Sequence, residues 1–283
     1  MITNLLKAIN NLTQNPIHAI RQHYTGINRA NSMGEALEYY VRDLFCGSVN
    51  VTTEQERNSI YSANFSYLGN QNNPPDIIIR GGDAIEVKKI ESIRSGIALN
   101  SSYPKSKLYA DSPMITQACR ECESWAAKDI VYVIGVVNRD QLNVLWLVYG
   151  DCYAADKEIY ERIKNTISSG LETLEGIELS QTNELGRINR VDPLGITCLR
   201  IRGMWHIDNP IRVYDYVSEI PALSNGLSVN VVMKKEKYYA FPDEDKNRLE
   251  NLSDPRLDIK DIMLKSPNNP ANLEEAKLIT FRS

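Results

Sequence analysis

The sequence has few histidines, few cysteines, no long apolar run and no excess of basic residues. Its 283 residues include three histidines and five cysteines. The histidines show no metal-binding spacing, and the one CxxC pair, Cys119 and Cys122, has no second pair, so the pattern argues against a zinc site. Cysteines that are scattered and odd in number favour a reducing, cytoplasmic setting.

Two further absences argue against whole classes of protein. No apolar segment reaches the length of a membrane span, and the N-terminus lacks the basic start and apolar run of a signal peptide. The formal net charge is −4, with 32 basic and 36 acidic residues. This balance argues against a protein that coats nucleic acid through bulk positive charge. It is compatible with an acidic catalytic centre inside a locally basic groove.

The hydrophobic pattern predicts a single domain, 1–283, of mixed α/β class. A helix is predicted at 32–47, where Ser32 caps the start in a capping box and Gly47 ends the last turn. Strands are predicted at 76–80, 83–90, 129–138 and 142–150, and further helices at 114–127 and 156–174. The α/β core is assigned to 28–165, and 166–283 is interpreted as a C-terminal elaboration.

The stretch 73–91, NPPDIIIRGGDAIEVKKIE, places two acids and a lysine at strand positions. Glu86 and Lys88 share one face, because alternate side chains of a strand point the same way. A three-residue connection, 80–82, pairs Asp76 with Glu86, whereas a two-residue turn would put Asp76 on the wrong face. We predict the three-residue connection or an equivalent bulge, since glycine readily adopts the left-handed conformation that such loops need.

Two carboxylates held together and desolvated repel each other, so at least one pKa is expected to rise. A hard divalent cation relieves this conflict, and Mg²⁺ commonly uses one or two carboxylates together with water and substrate phosphate. Asp76 and Glu86 are the predicted metal ligands, and the Val87 carbonyl is a further candidate. Lys88 is placed either to stabilise negative charge in the transition state or to help deprotonate a water. The constellation favours metal-assisted phosphodiester hydrolysis.

The residues PPD, followed by EVK ten positions after Asp76, resemble the motif of the PD-(D/E)xK nuclease superfamily. Segments within 28–205 resemble type II restriction endonucleases of that superfamily. This resemblance implies a restriction-endonuclease-like core, a central mixed sheet flanked by helices, with 166–283 serving recognition and dimerisation. It also implies a prokaryotic, Mg²⁺-dependent homodimer that cuts both strands of a short symmetric site in double-stranded DNA and leaves 5′-phosphates.

A helical glutamate four residues after a glycine is common in this superfamily, and Gly34 and Glu38 have that spacing. Glu38 is therefore a predicted catalytic residue, beside Asp76, Glu86 and Lys88. The alternative is a surface ion pair between Glu38 and Arg42, four residues further along the helix.

Reading a base sequence requires directional donors, such as arginine or lysine to guanine and asparagine or glutamine to adenine. The predicted DNA-binding residues are Asn100, Ser101, Ser102, Lys105 and Lys107 after the hairpin, and Arg187, Asn189, Arg190, Arg200 and Arg202 in the C-terminal part. A solvated surface charge is the alternative for any single arginine. The cluster favours DNA contact, because a nuclease of net negative charge needs a basic surface somewhere.

Two other functions stay open at the level of sequence. One is a structure-specific repair or junction nuclease with the same catalytic centre, although such enzymes tend to be smaller and more basic. The other is a catalytically inactive DNA-binding protein, which the intact set of Asp76, Glu86 and Lys88 argues against.

Overall fold

The structure is a computed structural model that describes residues 3–25, 32–70, 73–138, 140–180, 182–219 and 226–283. The helices are α1 (Leu5–Gln14), α2 (Ile20–Thr25), α3 (Met33–Cys46), α4 (Glu54–Asn64), α5 (Gln117–Glu121), α6 (Gly150–Tyr153), α7 (Lys157–Glu172), α8 (Pro210–Val213), α9 (Lys235–Tyr239) and α10 (Asp243–Glu250). The strands are β1 (Phe65–Asn70), β2 (Asn73–Ile79), β3 (Ala84–Ile90), β4 (Ile97–Ala98), β5 (Lys107–Tyr109), β6 (Ala127–Asn138), β7 (Gln141–Tyr149), β8 (Glu178–Leu179), β9 (Gly186–Asn189), β10 (Leu199–Ile201), β11 (His206–Ile207), β12 (Ser228–Lys234), β13 (Leu257–Lys265) and β14 (Leu273–Arg282).

A mixed sheet in the order β1-β2-β3-β6-β7-β12-β14-β13 forms the centre of the fold, and β5 also pairs with β6. Strand β6 is parallel to β3 and antiparallel to β7, and β12 is parallel to β7. The described residues of β6 and β7 are almost all buried, as expected for central strands that are apolar along their whole length. The predicted fold class, a mixed sheet flanked by helices, is confirmed.

The hairpin β2–β3 has the predicted three-residue connection. Its ladder pairs Ile77 with Ile85, and the Ile79 N–H donates to the Asp83 carbonyl at 2.9 Å. Residues 80–82 therefore form the loop, and Gly81 adopts φ +65°, in the left-handed region that favours glycine. This register is the one in which Asp76 and Glu86 belong to the same side of the hairpin.

Helix α3 begins and ends where the sequence indicates. The Ser32 side chain accepts from the Glu35 N–H while the Glu35 carboxylate accepts from the Ser32 N–H, and Gly47 closes the helix in the left-handed conformation. The helix packs against β3 and β6 with Leu37, Tyr40 and Leu44 buried. It therefore lies next to the strand that carries Glu86 and Lys88.

The helix predicted at 114–127 is wrong in length, because only α5 is helical there. Beyond it, the Glu123 carboxylate accepts from the Gly81 N–H at 2.7 Å and from the Lys128 ammonium at 2.8 Å. These contacts fasten the chain to the hairpin loop, and β6 then begins at Ala127. A tertiary anchor thus overrides the local helical pattern.

The strands of the C-terminal part belong to different sheets. Strands β12, β13 and β14 extend the central sheet, whereas β8, β9 and β10 form a separate three-stranded antiparallel sheet. A short ladder between β4 and β11 joins the chain that follows this small sheet to the segment that follows the hairpin. The core boundary at 28–165 stays a prediction, and residues 28–31 lie outside the described part. No described helix is both long and apolar enough to cross a membrane.

Candidate active site

Asp76 and Glu86 meet at the end of the β2–β3 ladder. The ladder stops at Ile77, and the Val87 N–H donates to Asp76 Oδ2 at 2.6 Å instead of to a backbone carbonyl of β2. Glu86 is 7% exposed, and its Oε2 is buried without a hydrogen-bond partner. The two carboxylates therefore share a poorly solvated corner, in which Glu86 is buried, Asp76 is partly buried and one oxygen of Glu86 is left unsatisfied.

The electrostatics of this corner follow from burial and like charge. Burial, followed by the charge of Glu86, raises the pKa of Asp76 to about 8, against the opposing effects of the Val87 N–H and the Lys88 ammonium. Without a cation the pair is thus resistant to full ionisation near neutral pH. A bound cation would stabilise the doubly ionised form.

Lys88 lies on the same face as Glu86, as the strand alternation predicts. Its Nζ is 2.6 Å from Glu86 Oε1, and its side chain is 25% exposed. Burial lowers the pKa of Lys88, but the charge and hydrogen bond of Glu86 outweigh this effect, so the pKa is raised overall. The ammonium is thereby fixed beside the two carboxylates.

The donor set around this corner fits a hard cation. Because the N–H and C=O of one strand residue point to the same side, the Val87 carbonyl faces the side from which Asp76 approaches. In the described ranges no three His, Cys, Asp or Glu side chains cluster closely enough to hold a metal by themselves. Asp76, Glu86 and the Val87 carbonyl would leave several positions for water and phosphate oxygens, as Mg²⁺ prefers.

Glu38 lies on α3 at the edge of this centre. Its carboxylate is 3.2 Å from the Arg42 guanidinium, the ion pair that the alternative interpretation expects. Burial raises the pKa of Glu38, while Arg42 and Lys88 oppose the rise. Glu38 thus interacts electrostatically with Lys88 as well as with its helical neighbour, and both interpretations have support.

A cavity of about 770 Å³ opens in front of the carboxylates. It is lined by Asp76, Glu86 and Lys88 together with six of the ten predicted DNA-binding residues: Asn100, Ser101, Ser102, Lys105, Arg200 and Arg202. Backbone hydrogen bonds from Leu99 to Trp205 and from Trp205 to Asn100 join the two segments that carry these six. The cavity therefore has an acidic floor and a wall of basic and amide side chains.

The other four predicted DNA-binding residues lie outside this cavity lining. Lys107, on β5, is 3.2 Å from Asp129. Arg190 is 3.5 Å from Glu178, while Arg187 and Asn189 belong to β9 of the small sheet. Contact between these residues and DNA stays a prediction.

The sequence reading missed Glu184, which organises the wall. Arg200 donates from Nε at 3.0 Å and from Nη2 at 2.8 Å to the two oxygens of Glu184, and Arg202 Nε lies 2.5 Å from Oε1. Glu184 is 14% exposed at its side chain, against 53% for Arg200 and 56% for Arg202. We call these three residues the Arg–Glu cluster. No local pattern marks Glu184, because it precedes β9 whereas Arg200 and Arg202 lie on and just after the partner strand β10.

A mixed sheet whose hairpin holds Asp76, Glu86 and Lys88 at the floor of a part-basic cavity is the arrangement expected of a restriction-endonuclease-like protein. The family model of the NgoPII restriction endonuclease matches residues 3–265, and the chain belongs to this family. It is 48% identical over 279 residues to the type II restriction enzyme NgoPII of Neisseria gonorrhoeae, covering 98% of this chain and 99% of the relative. No solved structure gave a significant match. Membership of this family makes the chain a site-specific DNA endonuclease.

Proposed function

We propose that the chain cuts both strands of a short symmetric duplex site by Mg²⁺-dependent hydrolysis and leaves 5′-phosphates. The observation that carries the proposal is the close Asp76–Glu86 pair, in which the buried Glu86 Oε2 has no hydrogen-bond partner. A buried polar atom without a partner is rare in folded proteins and calls for a ligand. The cavity in front of it is lined by cationic and amide side chains suited to a nucleic-acid backbone.

Asp76, Glu86 and the Val87 carbonyl are the proposed metal ligands. A bound Mg²⁺ would lower the pKa of a coordinated water and neutralise charge on the scissile phosphate. The carboxylates would hold the cation and thereby help to orient the scissile phosphate. Burial of the corner strengthens these interactions, because little bulk water remains to screen them.

Lys88 is the proposed cationic contact to the reacting phosphate. Its ion pair with Glu86 holds the ammonium next to the metal ligands, where negative charge develops as the phosphorus is attacked. Help with deprotonation of the water is the second role open to it. Glu38 is proposed to support Lys88 electrostatically from α3.

Sequence recognition is proposed to fall to the cavity wall. Asn100 and the arginines of the Arg–Glu cluster have the donors that read base edges, and Ser101, Ser102 and Lys105 line the same cavity. Lys107, Arg187, Asn189 and Arg190 are proposed to meet DNA outside the cavity, at the backbone, which requires only positive or polar groups.

A symmetric duplex site calls for two copies of the chain related by a two-fold axis, so we infer a homodimer. The proposed setting is the cytoplasm of a prokaryote. There the host DNA needs protection at the same site, which a methyltransferase of matching specificity would provide.

Digestion of a sequenced plasmid with the purified chain and MgCl₂ tests this function. We expect discrete fragments whose ends share one short palindromic sequence and can be ligated, because ligation requires 5′-phosphates. A Glu86→Gln variant should leave the plasmid intact. Glu91→Gln is the matched control, since Glu91 follows the same strand but is exposed and paired with Lys89.

Other digestion patterns point to the other functions. Cuts confined to branched or damaged DNA would contradict the proposal in favour of a repair nuclease. DNA binding without cuts under any divalent cation would contradict it in favour of an inactive binding protein.

A further inference from the structure

Lys105 differs from an ordinary DNA-contacting lysine in being almost fully buried. Only 8% of the residue is exposed, yet it lines the cavity together with Asp76, Glu86 and Lys88. Its Nζ donates to the Ser102 hydroxyl in a short contact and to the Tyr103 carbonyl at 3.3 Å. An exposed groove lysine would instead keep its ammonium in water.

The buried ammonium of Lys105 lacks a counter-ion. Within the described parts of the chain its Nζ contacts the Ser102 hydroxyl, the Tyr103 carbonyl and, at 5.4 Å from the centroid, the Tyr103 ring, and it forms no ion pair within 4.0 Å. Burial lowers the pKa of Lys105 to about 8, although the charge of Glu86 acts in the opposite direction. A buried cation without an ion-pair partner is costly, so this position calls for an anion that is not part of the chain.

The backbone around Lys105 is held in place from two sides. The Lys105 N–H donates to the Tyr132 hydroxyl at 2.8 Å, and Tyr132 lies opposite Glu86 in the β3–β6 ladder. On the other side, a Cβ at Gly150 would lie 2.4 Å from the Lys105 carbonyl oxygen, so only glycine permits this approach. Lys105 is thus fixed in register with the catalytic strand.

We propose that Lys105 is a second catalytic lysine, whose ammonium donates a hydrogen bond to a non-bridging oxygen of the scissile phosphate. The inference rests on the proposed function, because it concerns the same reaction. In that reaction the water oxygen forms a bond to phosphorus and releases one proton to solvent. The bond between phosphorus and the 3′-oxygen breaks, its electron pair passes to that oxygen, and a proton from solvent completes the 3′-hydroxyl. Lys105 stabilises the charge on the phosphoryl group during this exchange and transfers no proton itself. Lys88 and Lys105 would then contact the phosphate from different elements, β3 and the loop before β5.

Single-turnover cleavage of a short duplex carrying the mapped site tests this role. Lys105→Met should slow cleavage by about 100-fold, the cost typical of losing one charge-stabilising donor. Binding of the same duplex without divalent cation should weaken by less than about threefold, because one phosphate contact among many carries little of the affinity. Lys277→Met is the control: Lys277 is also poorly exposed but is paired with Asp261, and its variant should cleave at the wild-type rate.

A second variant distinguishes loss of the charge from misfolding of Lys105→Met. Lys105→Gln keeps a hydrogen-bond donor for Ser102 and Tyr103 but removes the charge, so it should show the same loss of rate as Lys105→Met. Cleavage by both variants within threefold of wild type would overturn the role of Lys105 and leave the proposed function intact. A wild-type chain that leaves every duplex uncut would overturn the proposed function, and the role of Lys105 with it.

Discussion

The β2–β3 hairpin and the Arg–Glu cluster face the same cavity but are built in opposite ways. In the hairpin, the carboxylates of Asp76 and Glu86 lie close together with little solvation, and one buried oxygen of Glu86 has no hydrogen-bond partner. In the cluster, opposite charges satisfy one another, and Arg200 and Arg202 remain more than half exposed. The repulsion between the Asp76 and Glu86 carboxylates would be relieved by a bound cation. The cluster fixes its donors in advance, at side chains that we propose to contact DNA.

The difference suggests a division of labour between rate and choice of site. Substitution of the charged side chains of the hairpin is expected to change the rate of cleavage. Substitution of residues in the ion-paired but exposed Arg–Glu cluster is expected to change the discrimination between DNA sequences.

The largest effect is expected from Asp76→Asn. This variant keeps an oxygen that can accept from the Val87 N–H but loses the charge that a cation needs. Single-turnover cleavage should fall by about 1,000-fold or more, because metal-assisted charge stabilisation is worth several kcal/mol. Retention of the wild-type cleavage rate would show that the hairpin is not the catalytic centre.

A smaller and different effect is expected from Glu184→Gln. Loss of the carboxylate frees both arginines of the cluster, so the ratio of cleavage rates at the cognate site and at a site with one mismatch should fall by about tenfold, within the ~1–3 kcal/mol carried by a bidentate base contact. Glu244→Gln is the control, since Glu244 pairs with Arg248 on α10, away from the cavity lining. An unchanged ratio, with a slower rate at every site, would assign the cluster to catalysis instead.

Weaker effects are expected outside the cavity. Arg187→Ala and Arg190→Ala should each reduce affinity for cognate and mismatched duplexes alike, and should lower the slope of log affinity against log salt by about one. Affinity measured by fluorescence anisotropy across a series of salt concentrations checks this. A selective loss for the cognate duplex would place base reading in the small sheet rather than in the cluster.

The smallest effect concerns stability and its dependence on pH. The pKa of Lys105 is lowered to about 8, so between pH 8 and 10.5 the unfolded chain binds a proton there that the folded chain lacks, and wild-type stability at this position rises with pH. Lys105→Met removes the burial cost, so it should raise Tm below pH 8 by about 2–4 °C for each kcal/mol relieved. The advantage should shrink between pH 8 and 10.5. Thermal unfolding at pH 7 and pH 10 checks this, and a lower Tm at pH 7 would contradict it.

The geometry of the hairpin could be predicted from the sequence because local rules determine it. Alternation along β3 placed Glu86 with Lys88, and the glycines after Ile79 allowed the three-residue loop that determines the register of Asp76. The central strands β6 and β7 were equally predictable, because they are apolar along their whole length. The capping pattern at Ser32 and Gly47 gave the limits of α3.

What could not be predicted depends on contacts between distant segments. The shortening of α5 follows from Glu123 bonding to the hairpin loop, and nothing local signals that bond. The burial of Lys105 depends on Tyr132 and on Gly150, which lie 27 and 45 positions further along the chain. The role of Glu184 appears only when β9 and β10 pair and bring Arg200 and Arg202 beside it.

The central claim is that Asp76 and Glu86 share one cation, and calorimetric titration of Mg²⁺ tests it most directly. The titration would use the chain saturated with a cognate duplex whose scissile linkage resists hydrolysis, so that binding is measured apart from cleavage. Wild type and Glu91→Gln should bind Mg²⁺ with the same affinity, and both Asp76→Asn and Glu86→Gln should lose that binding. Wild-type Mg²⁺ affinity in both hairpin variants would contradict the claim.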